Sequence, residues 1–234
     1  MKELRKVMLK VIAIIPALNE EAAIASVIRA IPRDNISQII VVDNGSTDST
    51  AAAAQAAGAD VVVEPQRGYG AACQAGANAA CDADVLVFLD GDGSFDAAEA
   101  AHVVAPIIAG DADLVLGSRE LGGVAPDAMP AHQQWGNRLV AWLLRHLYGI
   151  HVTDVGPFRA IRRTTLDALE MQELTYGWPT EMIVKAARRQ VHIVEVPTKY
   201  MVRMGGESKV GGTVRGSVLA GYRMLALTLK HVWR

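Results

Sequence analysis

Val85-Leu86-Val87-Phe88-Leu89-Asp90-Gly91-Asp92-Gly93-Ser94 decides the fold. Five apolar residues in succession make a strand buried on both faces, and such strands belong to mostly parallel sheets covered by helices. The chain then turns abruptly polar, with Asp90 and Asp92 separated by one glycine at the carboxyl end of the strand. Open α/β sheets bind ligands at that end. Carboxylate oxygens suit a hard divalent cation, Mg2+ or Mn2+, shared with substrate phosphates. Asp-Gly is also ordinary turn chemistry, so this pair alone leaves a cation site and an acidic turn side by side.

Two more strand ends repeat the pattern. Val11-Ile12-Ala13-Ile14-Ile15 runs into Pro16-Ala17-Leu18-Asn19-Glu20-Glu21, and Ile39-Ile40-Val41-Val42 runs into Asp43-Asn44-Gly45-Ser46-Thr47-Asp48. A helical pattern follows each: Glu20 or Glu21 opens one over 22–31, and Ser46 or Thr47 caps an alanine-rich one over 48–57. Polar groups at neighbouring strand ends of one sheet converge on one cleft. Loops and caps explain the hydroxyls well, but explain less well why an acid closes strands two and four.

Strands are expected at 11–15, 38–42, 61–64, 84–89 and 113–117, alternating with helices at 20–31, 48–57, 69–81 and 96–109. That alternation predicts an α/β fold with a parallel sheet and crossover helices. Beyond 117 come a Gly/Pro-rich loop (122–130) and a helix (131–149). A strand near 157–163, a helix near 178–189, a strand near 191–202 and a final helix near 213–233 follow. With 234 residues and no linker, one domain is expected: a ligand-binding half over 1–119 and a second half over 120–234.

No stretch reaches the ~18 consecutive apolar residues of a membrane span. The basic start and apolar segment of MKELRKVMLKVIAIIPALNE resemble a signal peptide, but removing them would delete the first strand. A cytoplasmic protein is expected. Cys73 and Cys81 share one predicted helix and read as reduced structural thiols. The six histidines have no ligand spacing, and the net charge of −2 goes with no nucleic-acid partner.

The series IIPALNEE, VVDNGSTDST, RGYGAACQAG, VLVFLDGDGS, VLGSR, GPFRAIRR, GWPTEM and GESKV resembles the inverting glycosyltransferases of family 2. It is most similar to the branch of dolichyl-phosphate mannose and glucose synthases and their bacterial polyprenyl-phosphate relatives, over roughly 11–212. The resemblance implies a GT-A fold, a UDP- or GDP-sugar donor, and Mg2+ or Mn2+ at the acids. It places the donor nucleoside by Pro16, Asn19 and Glu20, and at Asp43, with Gly45 in the same motif. It makes Asp92 the direct metal ligand, with Asp90 bracketing the cation and near the ribose. Ser94 stands in the metal shell where many relatives carry glutamine. Arg119 is similar to an arginine used near the donor or acceptor phosphate.

Arg67-Gly68-Tyr69-Gly70 follows strand three and opens a helix, where glycines such as Gly70 admit a ligand and the helix end favours an anion. The Rossmann glycine fingerprint is missing from the first strand turn.

On the acceptor side two chemistries remain open. A polyprenyl phosphate brings its own anionic nucleophile and needs cations; a hydroxyl needs a carboxylate base, for which Glu181 and Asp154 are the candidates, each reading equally as a capping or structural carboxylate and Glu181 rather more so. Residues 203–234 carry six cations against Glu207 alone, a local charge of +5. Arg203 and Lys209, the latter in a glycine-flanked loop suited to closing over phosphates, are the candidate clamps. Val218, Leu219, Tyr222, Leu225, Leu229, Val232 and Trp233 give the final helix an apolar face. That face fits a membrane surface, the chain's own domain or a second subunit of a homo-oligomer. The helix at 131–149 sets Trp135, Leu139, Trp142, Leu143 and Leu147 beside Arg138 and Arg145. It resembles the interface helices of the polyprenyl-phosphate branch.

The sequence therefore predicts a metal-dependent hexosyltransferase acting on a polyprenyl phosphate, peripheral on the cytoplasmic membrane face. Its rivals are the same chemistry on a small soluble hydroxyl acceptor and a non-catalytic nucleotide-sugar-binding subunit.

Overall fold

The computed structural model describes residues 9–205 and 224–228. Lys209 and most of the expected final helix lie outside them. One seven-stranded sheet organises the chain, in the order β3-β2-β1-β4-β6-β5-β7. Its strands are β1 (Val11–Ala17), β2 (Gln38–Asp43), β3 (Asp60–Val63), β4 (Val85–Phe88), β5 (Leu114–Ser118), β6 (Arg159–Arg162) and β7 (Ile193–Pro197). All neighbours are parallel except β6, which runs antiparallel to both β4 and β5.

Alternation along β1 divides the core. Val11, Ala13 and Ile15 face a layer that includes α1 (Ile24–Ala30), α2 (Thr50–Ala56) and α4 (Ala100–Ala109). Ile12 and Ile14 face α3 (Tyr69–Ala79), α6 (Ala131–Tyr148), α7 (Arg163–Leu169) and α8 (Trp178–Arg188). A short α5 (Arg119–Gly122) follows β5 directly. Because both faces are covered, the central strands have no polar face, which is why they read as unbroken apolar runs. Each fully buried Ile or Val contributes ~1.5–3 kcal/mol relative to exposure.

The sheet departs from the expected pattern in three places. β6 inserts between β4 and β5, so two strands consecutive in sequence are not neighbours. The last strand stops at Pro197 rather than near 202. Ser49, rather than Ser46 or Thr47, stands at the cap position of α2 and makes no side-chain cap bond, while Asp48 Oδ1 just before it accepts from the Thr50 N–H at 3.0 Å. Cys73 is buried and Cys81 exposed, both free thiols.

The order 3-2-1-4 sends the chain outward from β1 in one direction and from β4 in the other. The carboxyl ends of β1 and β4 therefore flank a topological switch point, the place where such sheets open a crevice. Pro16–Glu20 end one side and Asp90–Asp92 the other.

Candidate active site

A cleft of about 700 Å³ opens at that switch point. Its lining includes Pro16, Leu18, Glu20, Asn44, Arg67 and Tyr69, together with Asp90 and Asp92. The lining also includes Arg119, Tyr200 and Arg203 and passes into apolar residues of α6 and its surroundings.

The two acids have different environments. Burial, then the charge of Asp92, push the Asp90 carboxyl up to about 7, with Arg119 opposing. Asp92 is held from behind: its Oδ1 accepts from the Ser94 N–H at 2.9 Å and the Ser94 hydroxyl at 2.6 Å. Ser94 is buried and outside the cleft lining, so it orients Asp92 rather than facing a cation. The strap 201–205 is tied along the same loop, with Met201 N–H donating to Ser94 O (2.8 Å) and Met204 N–H to Asp92 O (3.0 Å). It delivers Arg203, whose Nη2 reaches Glu20 at 2.9 Å and whose Nη1 stands 3.8 Å from Asp92 Oδ2.

Asp154 corrects a sequence expectation. It is wholly buried, and its carboxylate accepts from Arg119 N (2.8 Å), Nε (2.7 Å) and Nη2 (2.6 Å). Burial works against its charge, but the Arg119 guanidinium more than offsets this and holds its pKa below the usual range. It is not placed to take a proton in the cleft. Its partner lies over the Tyr200 ring, 5.2 Å from the centroid, in cation–π contact.

Glu181 takes the structural one of its two readings. It is buried outside the cleft, accepting from the Gln172 N–H (3.1 Å) and Glu173 N–H (2.8 Å) and pairing with Lys185 at 2.8 Å. A buried carboxylate so engaged stabilises the approach to α8. Replacing it with glutamine leaves those donors poorly matched and Lys185 without its counter-charge. Glu181→Gln is expected to lower unfolding free energy by about 2–3 kcal/mol in urea denaturation, with kcat of the folded protein changed less than threefold. A kcat loss of a hundredfold or more would restore Glu181 as a base.

The remaining sequence candidates divide. Asn19 joins two loops, its Oδ1 accepting from the Thr47 N–H at 2.8 Å. Asp43 Oδ1 accepts from the Ser46 N–H at 2.9 Å, shaping the turn at Gly45, which has φ +85° and lies under the Arg67 guanidinium. Neither Asp43 nor Gly45 is in the cleft lining. At Gly70 a Cβ would come within 2.2 Å of the Glu173 carbonyl oxygen, so this glycine admits backbone, not a ligand. The start of α3 is likewise occupied, since the Ala71 N–H donates to Leu174 O at 2.9 Å.

Sequence reasoning missed Asn44, Tyr200 and Arg159. Asn44 clamps the loop that carries Arg67, donating to Glu64 O (2.9 Å) and Gln66 O (2.7 Å) and accepting from Gly68 N–H (2.8 Å). Its signal was the amide beside Asp43 at a strand end. Arg159 is fully buried and donates to Pro179 O at 2.9 Å and to Gly156 O, bridging two stretches that edge the cleft. Burial lowers its pKa to about 10.

A mostly parallel sheet between helix layers, with an acid pair at its switch point, defines the GT-A class of glycosyltransferase. The chain belongs to Glycosyl transferase family 2, which it matches over residues 12–169. It is 41% identical over 210 residues to an uncharacterized glycosyltransferase of Mycobacterium tuberculosis, covering 90% of this chain and 94% of that protein. It is 35% identical over 205 residues to the dolichyl-phosphate hexose transferase of Haloferax volcanii, covering 86% of each. Glucosyl-3-phosphoglycerate synthase from M. tuberculosis, crystallised with Mn2+, UDP-glucose and phosphoglyceric acid, superposes with a TM-score of 0.77 at 25% identity, over 97% of this chain and 81% of that one. The protein is a glycosyltransferase.

Proposed function

We propose that this enzyme transfers a hexose from a UDP- or GDP-sugar to a polyprenyl phosphate at a membrane surface, inverting the anomeric centre. One observation carries the reading: the cleft joins a charged end to an apolar wall. Asp90, Asp92, Arg119 and Arg203 lie at the sheet, while Met129, Leu139, Val140, Val155, Met224 and Leu225 continue the lining. A phosphate with a hydrocarbon tail has that polarity.

Outside the cleft, α6 exposes Trp135 (70%) and Trp142 (54%). Arg138 and Arg145 lie on the same helix, the former 3.1 Å from Glu120. Tryptophan and arginine on one exposed helix suit an anionic bilayer interface. Among the described residues no helix is long and apolar enough to cross a membrane.

The acids fit a divalent cation. Burial first, and the charge of Asp92 second, lift Asp90 to about 7, and two carboxylates completed by phosphate oxygens and water suit Mg2+ or Mn2+. When bound, the cation neutralises the departing diphosphate. The protein's own task is positioning. Ser94 holds Asp92, Asp154 holds Arg119, and Glu20 holds Arg203. Arg119 and Arg203, with Lys209 from outside the described residues, would bind the acceptor phosphate. A phosphate oxygen bonds to the anomeric carbon as the bond to the diphosphate breaks, and the nucleoside diphosphate leaves with the electron pair. No proton moves, so no base is required, in keeping with Glu181 and Asp154 lying away from the cleft. The wall from Pro16 to Leu18, with Asn44 and Arg67 beside it, is left for the nucleoside.

A small phosphorylated acceptor is the second reading, favoured by the phosphoglyceric acid in the superposed synthase. The deciding assay supplies radiolabelled UDP- and GDP-sugars with Mn2+, and offers undecaprenyl phosphate or phosphoglycerate. Label in the organic phase, only with the lipid, is expected. Label confined to phosphoglycerate would overturn the lipid reading, and binding of no donor would overturn catalysis.

A further inference from the structure

Glu195 lies on β7, outside the cleft lining, and none of the sequence motifs gives it a task. Its carboxylate nevertheless gathers several donors. Oε1 accepts from the N–H groups of Thr153 (2.8 Å) and Asp154 (3.1 Å), and Oε2 from the Thr153 N–H (2.9 Å) and hydroxyl (3.0 Å). The Thr153 oxygen in turn lies 2.7 Å from Ser118 Oγ, which accepts from the Leu121 N–H at 3.2 Å. Two consecutive residues of one turn are thus fixed to β7 and to the end of β5.

That turn carries Asp154, which fixes the Arg119 guanidinium through Nε and Nη2 while the Tyr200 ring packs against its face. Arg119 follows Ser118 directly, so both ends of the Arg119–Asp154 pair are held by the same network. Burial disfavours the Glu195 charge and leaves its pKa raised despite these bonds. A threonine or glutamine at 195 would avoid that desolvation but would not accept from both amides and the hydroxyl together.

We propose that Glu195 is a positioning residue for glycosyl transfer, fixing the Thr153–Asp154 turn and through it the reach of Arg119 into the cleft. It rests on the reading of Arg119 as the cation that binds phosphate. Misplacing a reacting group by ~1 Å costs on the order of 100-fold, and outer partners of a site residue commonly matter by 10–100-fold. Glutamine at 195 turns an amide N–H₂ toward donors and relaxes the turn.

The test is a double-mutant cycle on the full chain, with Glu195→Gln, Arg119→Gln and the pair, using whichever of undecaprenyl phosphate or phosphoglycerate is labelled. Glu195→Gln is expected to lower kcat/KM about tenfold, mostly through acceptor KM, with little change in melting temperature. In the Arg119→Gln background it should have no further effect beyond twofold. Equal losses in both backgrounds, or wild-type kinetics for Glu195→Gln, would overturn the inference while leaving Arg119 in place. Wild-type kinetics for Arg119→Gln would instead remove the reading beneath it. Thr153→Val, which deletes the hydroxyl link and keeps both amides, replaces Glu195→Gln if that variant does not fold. A titration with inorganic phosphate followed by 31P NMR needs no turnover: Arg119→Gln and Glu195→Gln should both weaken binding, and unchanged binding in Glu195→Gln alone counts against positioning.

Discussion

Asp92→Asn is expected to lower kcat/KM at least ~1,000-fold while leaving the fold intact, because the change removes charge and almost no volume. The asparagine oxygen can still accept from the Ser94 N–H and hydroxyl, which hold Oδ1 at 2.9 and 2.6 Å. The loop therefore keeps its shape, and the backbone bond from Met204 to Asp92 O is untouched. What changes is the position of Oδ2, now an amide nitrogen. It can neither ligate a cation nor attract Arg203 across the present 3.8 Å. Donor affinity in Mn2+ and the Mn2+ dependence of turnover should fall together, while the urea midpoint moves little. Transfer within tenfold of wild type, with retained Mn2+ dependence, would remove Asp92 from the cation site.

The contrast between Asp92 and Arg119 shows what a sequence can disclose. The acid pair follows an apolar strand within a few residues, so its location at a sheet end was legible from local pattern alone. The sheet itself was legible for the same reason: β1, β2 and β4 are buried on both faces and write that burial as continuous hydrophobicity. β6 was harder. Arg159-Ala160-Ile161-Arg162 is short and bracketed by arginines, and nothing local says that it inserts antiparallel between β4 and β5. That insertion leads the chain from Asp154 past Gly156 into the middle of the sheet. The Arg119–Asp154 pair spans 35 positions, Arg119 following β5 and Asp154 preceding the β6 that pairs with it. Read without it, Asp154 looks like a spare acid. Glu181 has two readings in the sequence, base or structural carboxylate, and the donors that decide for the structural one, at Gln172, Glu173 and Lys185, become visible only in the fold. Gly70 reads in the sequence as admitting a ligand, but the group that approaches it is the backbone at Glu173, a partner far along the chain that no local pattern announces.

Asp90→Asn should separate stability from function in the opposite sense: a loss of transfer together with a more stable apo protein. Burial and the Asp92 charge raise the folded pKa of Asp90 from 3.8 to about 7. The folded state therefore binds this proton more tightly than the unfolded chain does, and the stability lost by ionising Asp90 accumulates as pH rises from about 4 to about 7. At 1.36 kcal/mol per unit, the destabilisation above pH 7 approaches about 4 kcal/mol, an upper figure for a site open to relaxation and water. Asparagine keeps the shape and never ionises. In the presence of a chelator, its advantage over wild type should be a few kcal/mol at pH 8 and small near pH 4. Thermal melts of both proteins across that range would show it; an Asp90→Asn protein less stable than wild type at pH 8 would disprove the raised pKa. With Mn2+ and a sugar nucleotide bound, the order should reverse, because the charge that is costly in the empty cleft is the one the cation takes up.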